Sequence, residues 1–216
     1  MPQTTQKGSG SSPSPRGAAL VYFAKAPRPG QVKTRLCPPL THAEAAGLYR
    51  GFLEDILVPI AGVRSLVYGW PEAGLDELAD LLPEDLELRP QRGVNLWERM
   101  LKCQEELFAE GHDRVLIRNT DSPDLPPERI AEALAACAAG KVVLGPDLGG
   151  GYYLVAVCEV HRGLFEGLDE GEHSVLLMTV GNAKALGLEL QLLPEHADVD
   201  RYEDLQALWL RRVRSD

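Results

Sequence analysis

Ala18-Ala-Leu-Val-Tyr-Phe-Ala-Lys-Ala-Pro-Arg-Pro-Gly-Gln-Val-Lys-Thr-Arg35 is the stretch that decides the fold. Its first seven residues are an apolar run that reads as a buried β-strand. Pro27 and Pro29 fix their φ angles and stop that strand from continuing. Gly30 gives conformational freedom where a bulky anion can approach the backbone. Lys25, Arg28, Lys33 and Arg35 then place charge and hydrogen-bond donors at a strand's carboxyl end, where open α/β sheets bind ligands. The plain alternative is a solvated basic turn.

The distribution of charge favours the first reading. Residues 1–43 hold six Lys/Arg and no acid, while the rest of the chain carries 16 cations against 32 acids. A net charge of −10 argues against general binding to nucleic acid or an anionic membrane. It leaves room for a small anionic ligand on a local cationic patch. At 216 residues the natural expectation is one domain with a sizeable core, over residues 18–216. Residues 1–17, rich in Gly, Ser and Pro and without an apolar h-region, are expected to form a disordered tail rather than a signal peptide. Cys37, Cys103, Cys137 and Cys158 are scattered without a Cys-x-x-Cys pair, which fits reduced thiols and a cytoplasmic location. No run of about 18 apolar residues suggests a membrane span.

Outward from the basic loop, strands and helices alternate. Thr41-His-Ala-Glu44 has the form of a capping box, and apolar residues from Ala45 to Ile56 recur at helical spacing. Strands are expected at 63–69, 86–90, 113–118, 141–144, 152–157 and 188–193, with helices over 74–82, from Asn95 to Glu110, after Pro126, after Ser174 and over 201–214. This alternation implies a Rossmann-like three-layer α/β/α sandwich around a mostly parallel sheet.

Three further loops carry candidate chemistry. Asp121 directly follows a hydrophobic strand, and with a second carboxylate could hold Mg²⁺ or Mn²⁺ against phosphate oxygens. Its structural alternative is an Asx-turn acceptor before Pro123, with Asp124 in the turn that opens the next helix. The loop Gly145 to Gly151 brings Asp147, the glycines Gly150 and Gly151, and Tyr152 beside the sheet edge. Tyr152 and Tyr153 alternate faces, so at most one of them faces a ligand there. Asp200 is either a metal ligand or, with Glu203, a helix N-cap and its N3 partner. No Walker motif and no Gly-x-Gly-x-x-Gly is present.

Taken in order, these stretches resemble the motifs of a bacterial glycosyltransferase-like family, often described as radical-SAM-associated or arsenosugar-biosynthesis transferases. The resemblance runs through Phe23–Leu36, Gln91–Met100, Thr120–Pro126, Gly145-Pro146 with Gly150–Leu154, and Asp198–Asp200 with Glu203–Leu205. It implies the A-type glycosyltransferase fold and a nucleotide or nucleotide-diphospho-sugar as ligand. It also implies phosphate contacts from Lys25, Lys33 and Arg35, and a divalent metal at Asp121 and Asp200, the two residues expected to carry catalysis. Gly149 stands where the family usually has aspartate, Asn95 and Trp97 replace the usual Asp and Gly, and Asn119 replaces a glycine. Sugar transfer to an unknown acceptor is the first expectation. Nucleotidyl transfer with loss of pyrophosphate, and nucleotide binding without chemistry, remain open beside it.

Overall fold

A computed structural model describes residues 17–168 and 174–213. The tail expected over 1–17 therefore lies outside the described residues apart from Gly17, whose carbonyl accepts a 3.1 Å bond from the Asp113 N–H. The seven strands are β1 (Ala18–Lys25), β2 (Arg64–Trp70), β3 (Glu87–Pro90), β4 (Arg114–Arg118), β5 (Val142–Pro146), β6 (Tyr152–Val157) and β7 (Leu190–Leu192). They form one sheet in the order β3-β2-β1-β4-β6-β5-β7. β6 runs antiparallel to β4 and β5, and the other pairings are parallel.

Six α-helices cover both faces: α1 (His42–Ile56), α2 (Leu75–Ala79), α3 (Leu96–Ala109), α4 (Glu128–Ala138), α5 (Val175–Ala185) and α6 (Tyr202–Val213). Strand residues alternate between two cores. Leu20, Tyr22 and Ala24 pack with α1, α2, α4 and α6, while Ala19, Val21 and Phe23 pack with α3 and α5. Burial on both sides is why these strands read as continuous apolar runs. Local sequence also sets the helix starts. Thr41 and Glu44 make both bonds of the capping box, and the Asn95 side chain accepts the Glu98 N–H at 2.8 Å. Gly111 and Gly140, at φ 92° and 85°, follow α3 and α4.

The chain builds β1, β2 and β3 outward in one direction, then crosses to β4 on the other side of β1. Loops leaving β1 and β4 therefore diverge and open a crevice at the carboxyl edge. Among the described residues no helix is long and apolar enough to cross a membrane.

Candidate active site

The basic loop turns at Gly30 (φ 76°) and at Lys33 (φ 48°), the one described non-glycine residue in the left-handed region. Between them Val32, 4% exposed, anchors the loop in the core. The turn sends the Lys33 side chain inward, where it is 3% exposed. Its ammonium donates to the Asp121 carboxylate and, at 2.7 Å, to the Val199 carbonyl, and lies 3.6 Å from Asp200 Oδ1. Arg35 donates to Asp200 Oδ2 at 3.1 Å and is 65% exposed.

The four cations do not share one location. Arg28 turns away: its guanidinium binds Glu77 at 2.9 Å and the Ala73 carbonyl at 2.6 Å, and it lines neither cavity of the carboxyl edge. The phosphate contact expected of it is therefore replaced by a staple onto α2 and the turn before it. Gly30 lines neither cavity as well. Lys25 lines both, with no ion pair among the described residues.

The β4 loop is held from below. The Arg118 guanidinium, buried over the Tyr22 ring at 5.8 Å, donates to the carbonyls of Asn119 (3.2 Å) and Ser122 (3.0 Å). Thr120 bonds the Tyr49 hydroxyl at 2.7 Å and the Phe23 carbonyl at 3.2 Å, joining this loop to α1 and β1. Burial, and then the nearby Asp121 charge, push the Tyr49 phenol up. Asp121 is not the turn acceptor: Asn119 Oδ1 accepts the Asp121 N–H at 3.3 Å, so the Asp121 carboxylate is free to meet Lys33. Nor does Asp200 act as the side-chain cap of α6. Asp204 takes the N–H groups of Asp200 (3.1 Å) and Arg201 (2.7 Å), which leaves the Asp200 carboxylate facing the loop cations. The Val199 N–H closes the arrangement on the Asp121 carbonyl at 2.9 Å.

Two adjoining cavities, of about 570 and 420 Å³, share Lys25, Arg35, Asp121 and Asp200 in their common wall. The smaller one is the more cationic and also takes in Lys33 and Arg99. The larger one takes in Asp147, Asp198, Gly149, Gly151, Trp97 and Tyr152. Asp147 Oδ1 accepts the N–H groups of Gly149 and Gly151 at 2.8 Å each. A Cβ at Gly151 would stand 2.7 Å from Asp147 Oδ2, so any other residue there would push that carboxylate aside. Burial raises the Asp147 carboxyl and the Asp200 charge adds to that, against the opposing glycine N–H bonds. Asp198 is pushed up to about 6 by burial first and then by Asp200, Asp147 and Asp121. Of the two tyrosines, Tyr152 joins the α3 side, 6.2 Å from the Trp97 ring. Tyr153 lies on the other face, with its hydroxyl on the Pro194 carbonyl at 3.0 Å. Gly150 supplies a carbonyl to the Leu176 N–H at 2.9 Å and does not line the cavity.

Asp198 and Arg99 line these cavities without having been singled out from sequence. The alternation Asp198-Val-Asp200 carried the first signal, since residues two apart share a side and Val199 is fully buried. Arg99 lies 4.5 Å above the Trp70 ring, a contact that no local pattern announces. Asp124, expected in a turn, instead binds Arg211 on α6 at 2.7 Å and His196 at 3.0 Å.

The donor set suits a hard divalent cation. Asp121, Asp200 and the Val199 carbonyl already surround a cation, the Lys33 ammonium, and all three offer oxygen. Among the described residues no three His, Cys, Asp or Glu side chains could hold a metal by themselves. Such an ion would need further oxygens from water or a phosphate.

A family model described as an uncharacterized protein conserved in bacteria (DUF2064) matches residues 61–172. A candidate nucleotide-diphospho-sugar transferase from Desulfovibrio desulfuricans G20 superposes with a TM-score of 0.84 at 32% identity, over 89% of this chain and 86% of that one. CMP:2-keto-3-deoxy-manno-octonic acid synthetase complexed with CTP superposes at a TM-score of 0.57 and 11% identity, over 92% and 99% of the two chains. A cytidylyltransferase from Leptospira borgpetersenii gives 0.58 and 10%, over 88% and 84%. The last two likenesses concern the fold alone. No curated protein matches the sequence.

Proposed function

This chain belongs to the bacterial DUF2064 family, and we propose on that footing that it is a transferase that binds a nucleotide-diphospho-sugar and passes the sugar to an acceptor. One observation carries the reading: Lys25, Arg35, Asp121 and Asp200 form the common wall of two cavities at the carboxyl edge of the sheet. The smaller, cationic cavity suits the diphosphate. The larger one, with the aromatic faces of Trp97 and Tyr152 and the carboxylates of Asp147 and Asp198, suits a sugar and its acceptor. The description of the Desulfovibrio relative supports the same substrate class.

In this reading Lys25 and Arg35 grip phosphate oxygens and counter the charge that grows on the diphosphate as it leaves. Asp121 and Asp200 would hold Mg²⁺ or Mn²⁺. When bound, that ion supplies Lewis-acid neutralisation of the same oxygens. Trp97 packs near-parallel to Phe165 at 6.2 Å and tilted against Tyr152, a rigid floor for a sugar face.

A thermal-shift screen of nucleotides and nucleotide sugars, with and without Mn²⁺, tests the binding, because a ligand selective for the native state raises its stability. The reading expects a nucleotide-diphospho-sugar among the strongest stabilisers and release of a nucleoside diphosphate with an acceptor. Release of pyrophosphate from a triphosphate instead would identify nucleotidyl transfer. Tight binding without turnover of either would leave a nucleotide-binding protein.

A further inference from the structure

The Lys33 ammonium meets three oxygens: the Asp121 carboxylate, the Val199 carbonyl at 2.7 Å, and Asp200 Oδ1 at 3.6 Å. Two of the ammonium's three N–H donors go to Asp121 and Val199, and Asp200 pairs with its charge from just beyond hydrogen-bond distance. Two carboxylates therefore already neutralise it before any phosphate arrives. The setting is costly to build. Lys33 adopts a left-handed backbone at φ 48°, and its side chain is 3% exposed. The oxygens come from two loops tied to one another by the Val199 N–H on the Asp121 carbonyl at 2.9 Å. Two facing carboxylates and a carbonyl on a braced frame make a cation-binding pocket, and the chain fills it with a cation of its own.

We infer that Lys33 is an internal stand-in cation: it holds Asp121 and Asp200 in register while the site is empty, and a divalent ion must displace it to bind them. This rests on the assignment of those two carboxylates to a metal. Divalent metal alone therefore binds weakly, since it competes with a pre-placed ammonium. A nucleoside diphosphate gives the released ammonium a new anionic partner in the cavity it already lines. Metal and diphosphate then bind cooperatively, each raising the affinity of the other by the same factor. Lys33 is a phosphate ligand only after that exchange.

The test titrates Mn²⁺ alone, followed by its electron paramagnetic resonance signal, into the native protein, Lys33→Met and Lys25→Met. Met keeps the unbranched stem and removes the charge, and Lys25 controls for general loss of a cation in the same cavity wall. Lys33→Met is expected to bind Mn²⁺ on the order of tenfold tighter than native, and tighter than Lys25→Met. Its cooperativity with UDP, CDP, ADP or GDP, whichever binds best, should largely vanish. Equal or weaker Mn²⁺ binding by Lys33→Met overturns the inference while the metal reading stands, provided that Mn²⁺ still tightens diphosphate binding in the native protein. If Mn²⁺ has no effect on the native protein with any diphosphate, the metal reading falls and this inference with it. A second measurement needs no variant. Amine acylation of native protein, followed by mass spectrometry, should label Lys33 several-fold faster with saturating Mn²⁺ than without. An unchanged rate at Mn²⁺ concentrations that bind overturns the exchange even if Lys33→Met fails to fold.

Discussion

Asp121 and Asp124 stand three residues apart in one loop, and both meet the last segment of the chain, yet their surroundings differ in kind. Asp124, 16% exposed, receives Arg211 at 2.7 Å through Nε and 3.4 Å through Nη2, with His196 at 3.0 Å. Asp121, 39% exposed, shares the Lys33 ammonium with Asp200, which also receives the exposed Arg35 at 3.1 Å. Asp124 alone is met by an arginine and a histidine, whereas Asp121 and Asp200 share one buried ammonium and one exposed guanidinium. The first arrangement is a staple that fixes α6 and the strand-like segment before it against the β4 loop. The second holds two carboxylates, each about 40% exposed, in the wall of two cavities. Both raise a carboxylate toward the same sheet edge, and the balance of charge around each tells structure from chemistry.

The largest expected effect breaks the staple. Asp124→Ala should cost about 2–3 kcal/mol, because Arg211 and His196 lose a half-buried partner, and calorimetric melting measures the drop. Asp121→Asn should cost less, about 1 kcal/mol, since the Asn carbonyl still accepts from the buried Lys33 ammonium and Asp200 still pairs with its charge. Similar losses for the two variants would erase the distinction.

A second comparison sets Arg35 against Arg28. Arg35→Ala should weaken nucleoside diphosphate binding about tenfold through the loss of a charge-assisted contact. Arg28→Ala should leave that affinity unchanged, because its guanidinium belongs to Glu77 and the Ala73 carbonyl. Titration calorimetry on both variants reads the difference.

Acid should weaken the staple. Burial alone would raise the Asp124 carboxyl, but the hydrogen bonds from His196 and Arg211 outweigh it and hold the group well below its ordinary value. A carboxyl depressed in the folded state contributes stability above its unfolded pKa of about 3.9, and loses it as pH falls below that value. Urea unfolding between about pH 5 and 2.5 should therefore show a shallower acid limb for Asp124→Asn than for native protein.

The smallest expected effect concerns Gly149. A Cβ there would stand 3.3 Å from Asp147 Oδ1 in an exposed loop, so Gly149→Asp is accommodated by a slight shift. An added carboxylate beside the larger cavity should tighten Mn²⁺ by roughly two- to threefold. No gain would show that this position does not reach the ion.

Much of the fold was legible because it follows from local chemistry. The capping box at Thr41 and Glu44, the Asn95 cap and the apolar runs act over a few residues and appear where the pattern places them. The site was legible in part. Strand-end position identified the loops that bear Lys33 and Asp121, and the family resemblance pointed to Asp200, whereas the partners of each side chain depended on distant sequence. Nothing near Arg28 announces Glu77, 49 residues on. Asp200 with Glu203 fits a cap by spacing, yet the Asp200 carboxylate is held by Lys33 and Arg35, 165 or more residues away in sequence, and Asp204 takes the N–H groups before α6.

The central claim is that Asp121 and Asp200 form a divalent-cation site that acts together with a diphosphate on the neighbouring cations. Calorimetric titration of a nucleoside diphosphate, with and without Mn²⁺, into native protein and Asp121→Asn tests it most directly. Asn keeps the shape of the side chain and removes its charge. The account predicts that Mn²⁺ tightens diphosphate binding in the native protein on the order of tenfold, and that Asp121→Asn loses most of that gain. Identical diphosphate affinity with and without Mn²⁺ in the native protein would contradict it.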